Sequence, residues 1–87
     1  MAEIIRKASA GTLESSDAYV EIEPGSGIDL DLESVVITQY GDQIRATVKE
    51  VLDQFGIKDA KVKITDRGAL DCVIRARLET AIARGEE

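Results

Sequence analysis

Three short stretches of this chain alternate apolar and polar residues, and between the second and the third the repeat lengthens to that of a helix. Ala18, Val20 and Ile22 alternate with Tyr19, Glu21 and Glu23, as the two faces of a half-buried strand do. Ile28, Leu30 and Leu32 alternate with Asp29, Asp31 and Glu33, and Ala60, Val62 and Ile64 with Lys61 and Lys63. Between them Ile44, Val48, Val51, Leu52 and Phe55 share one helical face. Gly56 with Ile57 behind it reads as a Schellman stop, the glycine taking the left-handed conformation. A chain patterned this way must lay an apolar helix stripe on an apolar sheet face.

The junctions complete the prediction. Pro24-Gly-Ser-Gly27 reads as a hairpin loop, because glycine supplies positive φ and proline cannot continue a ladder. Val35, Val36 and Ile37 are consecutive apolar residues, which implies either a bulge or a strand end covered on both faces. Thr38-Gln-Tyr-Gly41 reads as the junction to the helix. Thr65-Asp-Arg-Gly68 turns the chain, with Asp66 capping the helix that follows and Gly68 allowing the tight turn. The segment 70–82 fits two periods. Leu70, Ile74, Leu78 and Ile82 form a helical stripe, while Leu70, Cys72, Ile74, Ala76 and Leu78 also alternate as a strand would. Its length and its richness in Ala, Leu, Arg and Glu favour a helix over about 69–84, with 85–87 fraying. Residues 4–10 are extended or irregular, or a short edge strand. The expectation is an α+β fold, a small sandwich in the order β-β-α-β-α, its antiparallel or mixed sheet carrying both helices on one face. Residues 1–87 are expected to form one domain, with 1–17 an extended lead and serine loop and 18–84 the core.

Eighty-seven residues lie near the lower limit for an independent core. The aromatic residues are Tyr19, Tyr40 and Phe55, so that core must be aliphatic, and a permanent partner would share the work of stabilising it. The net charge of -6 argues against nucleic acid, whose phosphates demand clustered cations. It suits docking on basic surfaces of other proteins. A lone cysteine, Cys72, rules out an internal disulfide and fits a reducing cytosol. No apolar run approaches the about 20 residues of a membrane helix, and the first seven residues are too short and too charged for a signal peptide. A cytoplasmic location follows. The absence of histidine excludes serine–histidine and cysteine–histidine catalysis and most zinc sites, which favours a passive role over an enzyme.

Several groups have an ordinary reading beside a functional one. Asp29, Asp31 and Glu33 are spread along a strand rather than converging from a loop. They read as a solvated face, partly neutralised if the Lys61/Lys63 strand lies alongside, and not as a metal site. The turn 66–71 has neither the repeated glycines nor the lysine of a phosphate-binding loop, though Arg67 could contact a phosphate-bearing group or a partner. Cys72 reads as a small buried hydrophobe. Arg75 and Arg77 read as the wet face of the helix or as a docking surface.

The stretch Ala10-Gly-Thr-Leu-Glu-Ser-Ser-Asp17 belongs to no core-forming pattern. Glycine and small polar residues ahead of a periodic segment read as an exposed loop. By itself the composition fits a turn in which Ser16 or Asp17 bonds its own backbone; the alternative is a modification site. The run AGTLESSD resembles the N-terminal signature of the citrate lyase acyl carrier (gamma chain) family. The stretch Asp66-Arg-Gly-Ala-Leu-Asp-Cys-Val-Ile-Arg-Ala-Arg-Leu-Glu79 is similar to that family's C-terminal segment, and Gln39-Tyr-Gly-Asp-Gln-Ile-Arg45 also fits. The similarity spans nearly the whole chain.

The resemblance implies a non-catalytic carrier subunit with its prosthetic group, phosphoribosyl dephospho-coenzyme A, joined through a phosphodiester to the first serine of the pair, Ser15. The choice of Ser15 over Ser16 rests on the family pattern. A terminal thiol on the arm would hold acetyl and then citryl as thioesters while citrate is cleaved to acetate and oxaloacetate. The implied partners are the alpha (acyl transferase) and beta (citryl lyase) subunits, a prosthetic-group transferase and an acetylating ligase, with no nucleic acid, membrane or metal. The attachment motif and four-helix bundle of fatty-acid-type carriers are not expected. Two other readings stand beside this one: the acyl carrier of malonate decarboxylase, and a scaffolding or regulatory α+β domain in which the serine loop is merely a turn.

Overall fold

The computed structural model describes residues 3–34 and 37–87, with side chains left out for 37–40. Its elements are β1 (Ala8–Gly11), β2 (Ala18–Glu23), β3 (Ile28–Ser34), α1 (Ile37–Gln54), β4 (Ala60–Asp66) and α2 (Asp71–Glu86). The expected order of strand, strand, helix, strand, helix is present, preceded by the short edge strand β1. Four strands form one mixed sheet in the order β1-β2-β4-β3. β1 with β2 and β2 with β4 are antiparallel, whereas β3 and β4 are parallel. A parallel pair cannot be closed by a tight turn, so α1 serves as the crossover between β3 and β4.

The loop 24–27 is therefore not a hairpin loop, because β4 lies between the two strands it joins. Charge explains the insertion. Pairing β2 directly with β3 would bring an acidic strand face against another acidic one. Instead Lys61 sits opposite Glu23 on one side and Asp29 on the other, and Lys63 opposite Glu21 and Asp31. The loop crosses the start of β4: the Gly27 N–H donates to Asp59 Oδ1 at 2.8 Å, and the Ala60 N–H donates to the Gly27 carbonyl at 2.9 Å.

The other sheet face carries the core. Val20, Ile22, Val62 and Ile64 point to the helices and meet Val48, Val51 and Leu52 of α1 and Ile74, Leu78 and Ile82 of α2. All of them are buried. Alternation selects the sheet residues and the 3.6-residue repeat selects the helical ones, so both helices lie on one face. The Schellman stop is present, with Gly56 at φ 70, its N–H donating to Asp53 and the Ile57 N–H to Leu52.

Three further expectations are corrected, and a fourth lies outside the described residues. Helix α1 begins at Ile37, so 38–41 form its first turns and Gly41 lies inside it; one interior glycine costs only about 1 kcal/mol and does not stop a helix. Val35 and Val36, and with them the choice between a bulge and a strand end covered on both faces, lie outside the described residues. Asp66 does not cap α2, whose N-cap residue is Leu70. Buried at the end of β4, Asp66 accepts hydrogen bonds from the Ser34 hydroxyl at 2.7 Å and the Ala69 N–H at 2.9 Å, and so braces the turn in which Gly68 takes φ 88. The C-terminus does not fray at residue 85. The Ile5 and Arg6 N–H groups donate to the Gly85 carbonyl, and a Cβ on this buried glycine would lie 3.3 Å from Ile4 Cγ2. The last turn of α2 is held because the N-terminal lead packs against it.

Ile64 lies on the central strand and is fully buried. Ile64→Ala is expected to destabilise the chain by about 2–5 kcal/mol in urea unfolding. A loss below about 1 kcal/mol would show that the core is not packed on this face.

Candidate functional site

The serine loop, residues 12–17, is the connection of the β1–β2 hairpin. Its entry requires glycine. Gly11 has φ 96, and a Cβ there would fall 1.9 Å from the Ala18 carbonyl oxygen. Its exit is Asp17, whose carboxylate gathers four donors. The Thr12 hydroxyl donates at 2.6 Å and the Ala18 N–H at 2.8 Å. Arg77 of α2, 60 residues further along the chain, grips both oxygens through Nε and Nη2, each at 3.0 Å. This fork-to-fork pairing fixes direction as well as distance. The Arg77 guanidinium, helped by Thr12 and the Ala18 N–H, holds the Asp17 carboxyl well below the usual carboxylate range.

A second brace comes from the β4–α2 turn. The Ser16 N–H donates to the Arg67 carbonyl at 2.8 Å, and the Arg67 N–H donates to the Asp17 carbonyl at 2.9 Å. Ser16 itself sits in the left-handed region at φ 66, a conformation a non-glycine residue adopts only where its surroundings hold it. Inside the loop, the Glu14 N–H donates to the Thr12 hydroxyl and the Asp17 N–H to the Glu14 carbonyl. Residues 12–16, both serines among them, are exposed on a loop whose two ends are fixed. The loop thus does both things composition allowed: it is a turn closed by Asp17, and it presents a hydroxyl to solvent.

The other singled-out residues separate into those the fold brings to this loop and those it does not. Arg77 is not simply on a wet face: it ties α2 to the loop. Arg67 is exposed and joined to the loop through its backbone. Arg75 instead pairs with Glu50 at 3.1 Å and Asp71 at 3.2 Å, linking the two helices. Cys72 is exposed rather than buried, because the inward stripe of α2 runs through Ile74, Leu78, Ala81 and Ile82. Asp29 and Asp31 lie opposite Lys61 and Lys63, whereas Glu33 lies opposite Thr65, and no cluster suited to a metal ion occurs among the described residues. Nor, among those residues, is any helix long and apolar enough to cross a membrane. Sequence reading missed the roles of Thr12 and Arg77. Asp17, a carboxylate closing a hydroxyl-rich loop, was a signal that a cation should be sought, but not one that said where.

Comparison with known proteins bears on what such a loop is for. The citrate lyase acyl carrier protein of Treponema denticola is 52% identical over 85 residues, which cover 98% of each chain. That of Lactobacillus helveticus is 54% identical over 86 residues, covering 98% of this chain and 89% of the other. The chain belongs to the citrate lyase acyl carrier protein family. Residues 5–85 also match an acyl-carrier family described as the malonate decarboxylase delta subunit (MdcD). A chain of the Pseudomonas malonate decarboxylase hetero-tetramer, solved in complex with malonate, shares the fold at a TM-score of 0.80 and 23% identity, covering 91% of this chain and 82% of that one. Membership among acyl carriers implies a covalently attached prosthetic group.

Because the folded-state pKa of Asp17 is depressed, the stability it contributes is present above the ordinary carboxylate pKa of about 3.9. That contribution is lost as the pH falls through the lower folded value. Thermal melts are therefore expected to show a steeper loss of stability below about pH 4 for the native chain than for Asp17→Asn. Parallel curves would mean that the Arg77 grip does not persist in solution.

Proposed function

We propose that the chain is the acyl carrier subunit of a citrate lyase and that Ser15 carries its prosthetic group, phosphoribosyl dephospho-coenzyme A. The observation that carries this reading is identity of about one half, over nearly the entire length, to citrate lyase acyl carrier proteins. The loop geometry supports the region, since a modifying enzyme must reach a hydroxyl and both Ser15 and Ser16 are exposed between braced ends. The choice of Ser15 over Ser16 rests on the family pattern. Small and polar neighbours let such a loop enter another protein's active site, and that enzyme supplies the base that activates the serine.

The residues present suit the group. Ser15 offers the oxygen for the phosphodiester link, and Arg67 is a cation beside the loop that can face the linking phosphate. When bound, the group supplies a terminal thiol that holds acyl chains as activated thioesters. The chain's own part is to hold the attachment point still and to confine the arm near its partners, which raises effective concentration at each partner site. It brings no histidine for proton transfer, so acid–base work falls to the partners. Those partners are the alpha acyl transferase and beta citryl lyase subunits, with a prosthetic-group transferase and an acetylating ligase acting on the carrier in the cytoplasm.

The malonate decarboxylase carrier is the second reading, favoured by the family description and the shared fold. At 23% identity that structural likeness speaks for the fold alone, whereas the half-identity to citrate lyase carriers speaks for the complex. Recovery from the native host together with malonate decarboxylase subunits would overturn the preference.

Reconstitution with the partner subunits and the transferase tests the site. Ser15→Ala is expected to abolish citrate cleavage, with Ser16→Gly retaining it because glycine accepts the left-handed backbone. Full activity of Ser15→Ala would remove Ser15 from the account.

A further inference from the structure

We propose that the outer edge of β3 is where a partner subunit adds a strand, and that the docking segment alternates basic with apolar side chains. The inference rests on the reading that the chain works inside a complex, and it names a surface of that complex. β3 is an edge strand of seven residues, Ile28–Ser34, paired only with β4 among the described residues. It contains neither proline nor glycine, so the outer backbone groups from Ile28 to Glu33 form a template for another strand.

The two faces of that edge specify different chemistry. On the open face the strands alternate in sign: Glu21 and Glu23 on β2, Lys61 and Lys63 on β4, then Asp29 and Asp31 on β3. The next strand outward is matched if it carries cations, because directly opposed side chains of opposite charge attract. On the helix side lies a groove of about 270 Å³ between β3 and α1, walled by Ile28, Leu30, Val48 and Leu52, with Arg45, Lys49 and Asp53 of α1 also lining it. Ile28 is 47% exposed at its mouth. Apolar side chains that alternate with the cations of an added strand would enter this groove.

The carboxylates alone could be protection against edge pairing, as charges often are on edge strands. Protection does not account for the apolar groove behind them, at whose mouth Ile28 is exposed. A second copy of this chain is a poor occupant through the same edge, since two β3 strands side by side would oppose acid with acid.

Amide hydrogen exchange on the assembled complex, purified with its partner subunits, tests the proposal against the free full-length chain. Peptides covering 28–34 are expected to exchange at least about tenfold more slowly in the complex. The double variant Asp29→Asn/Asp31→Asn, which removes the charges without setting lysine against Lys61 and Lys63 and is matched to the native chain by circular dichroism, is expected to bind the partner subunits at least about tenfold more weakly. An intact complex whose β3 exchanges as in the free chain overturns this inference and leaves the carrier reading standing. Undiminished binding of the double variant overturns the charge argument, and β3 protection that rises with concentration of the free chain assigns the edge to a second copy instead. A chain that recovers no partner subunits contradicts the carrier reading and this inference together.

Discussion

Lys61 and Lys63 hold β2 and β3 in one sheet while keeping them apart, and most of the architecture follows from that placement. With an acidic strand on each side, β4 becomes the member on which both neighbours register. The inner face of the same strand presents Val62 and Ile64 to the two helices, so the strand that neutralises charge on one face also centres the core on the other. The parallel pairing of β4 with β3 then obliges the chain to cross over through α1. In a chain of this size, with an aliphatic core, neither face has material to spare.

The serine loop is held by what comes directly after that strand. Where β4 ends, Asp66 braces the turn, and the Arg67 backbone takes up Ser16 and Asp17. The helix that leaves the turn brings Arg77 to the Asp17 carboxylate. Two contacts between ends of the chain far apart in sequence thus fix a loop that, on its own, would be a mobile hairpin tip. A carrier needs this division: anchored flanks for reproducible presentation, and an exposed residue between them for chemistry done by others.

Much of this was legible in the residues. Period-two alternation placed β2, β3 and β4, the 3.6-residue stripe placed α1, length and helix-forming composition placed α2 where two periods competed, and Gly56–Ile57 announced the helix stop that the hydrogen bonds show. These signals are local, and local signals survive folding. Strand order is not local. Pro24 to Gly27 has the composition of a hairpin loop, and only the clash of two acidic strands argued for inserting a third between them. The Arg77–Asp17 pair and the role of Asp66 depend on how α2 leaves the sheet, which no spacing within one segment encodes. Cys72 was misplaced by about one step of the helical wheel, enough to move it from core to surface. The importance of AGTLESSD came from its resemblance to a family; its residues alone described a turn.

The most direct measurement of the central claim is intact-mass spectrometry with peptide mapping on the chain purified from its natural source, in cells making active citrate lyase. The account predicts a heavy, phosphorus-containing adduct confined to Ser15, with Ser16 bare. An unmodified mass, or an adduct on any other residue, would contradict it.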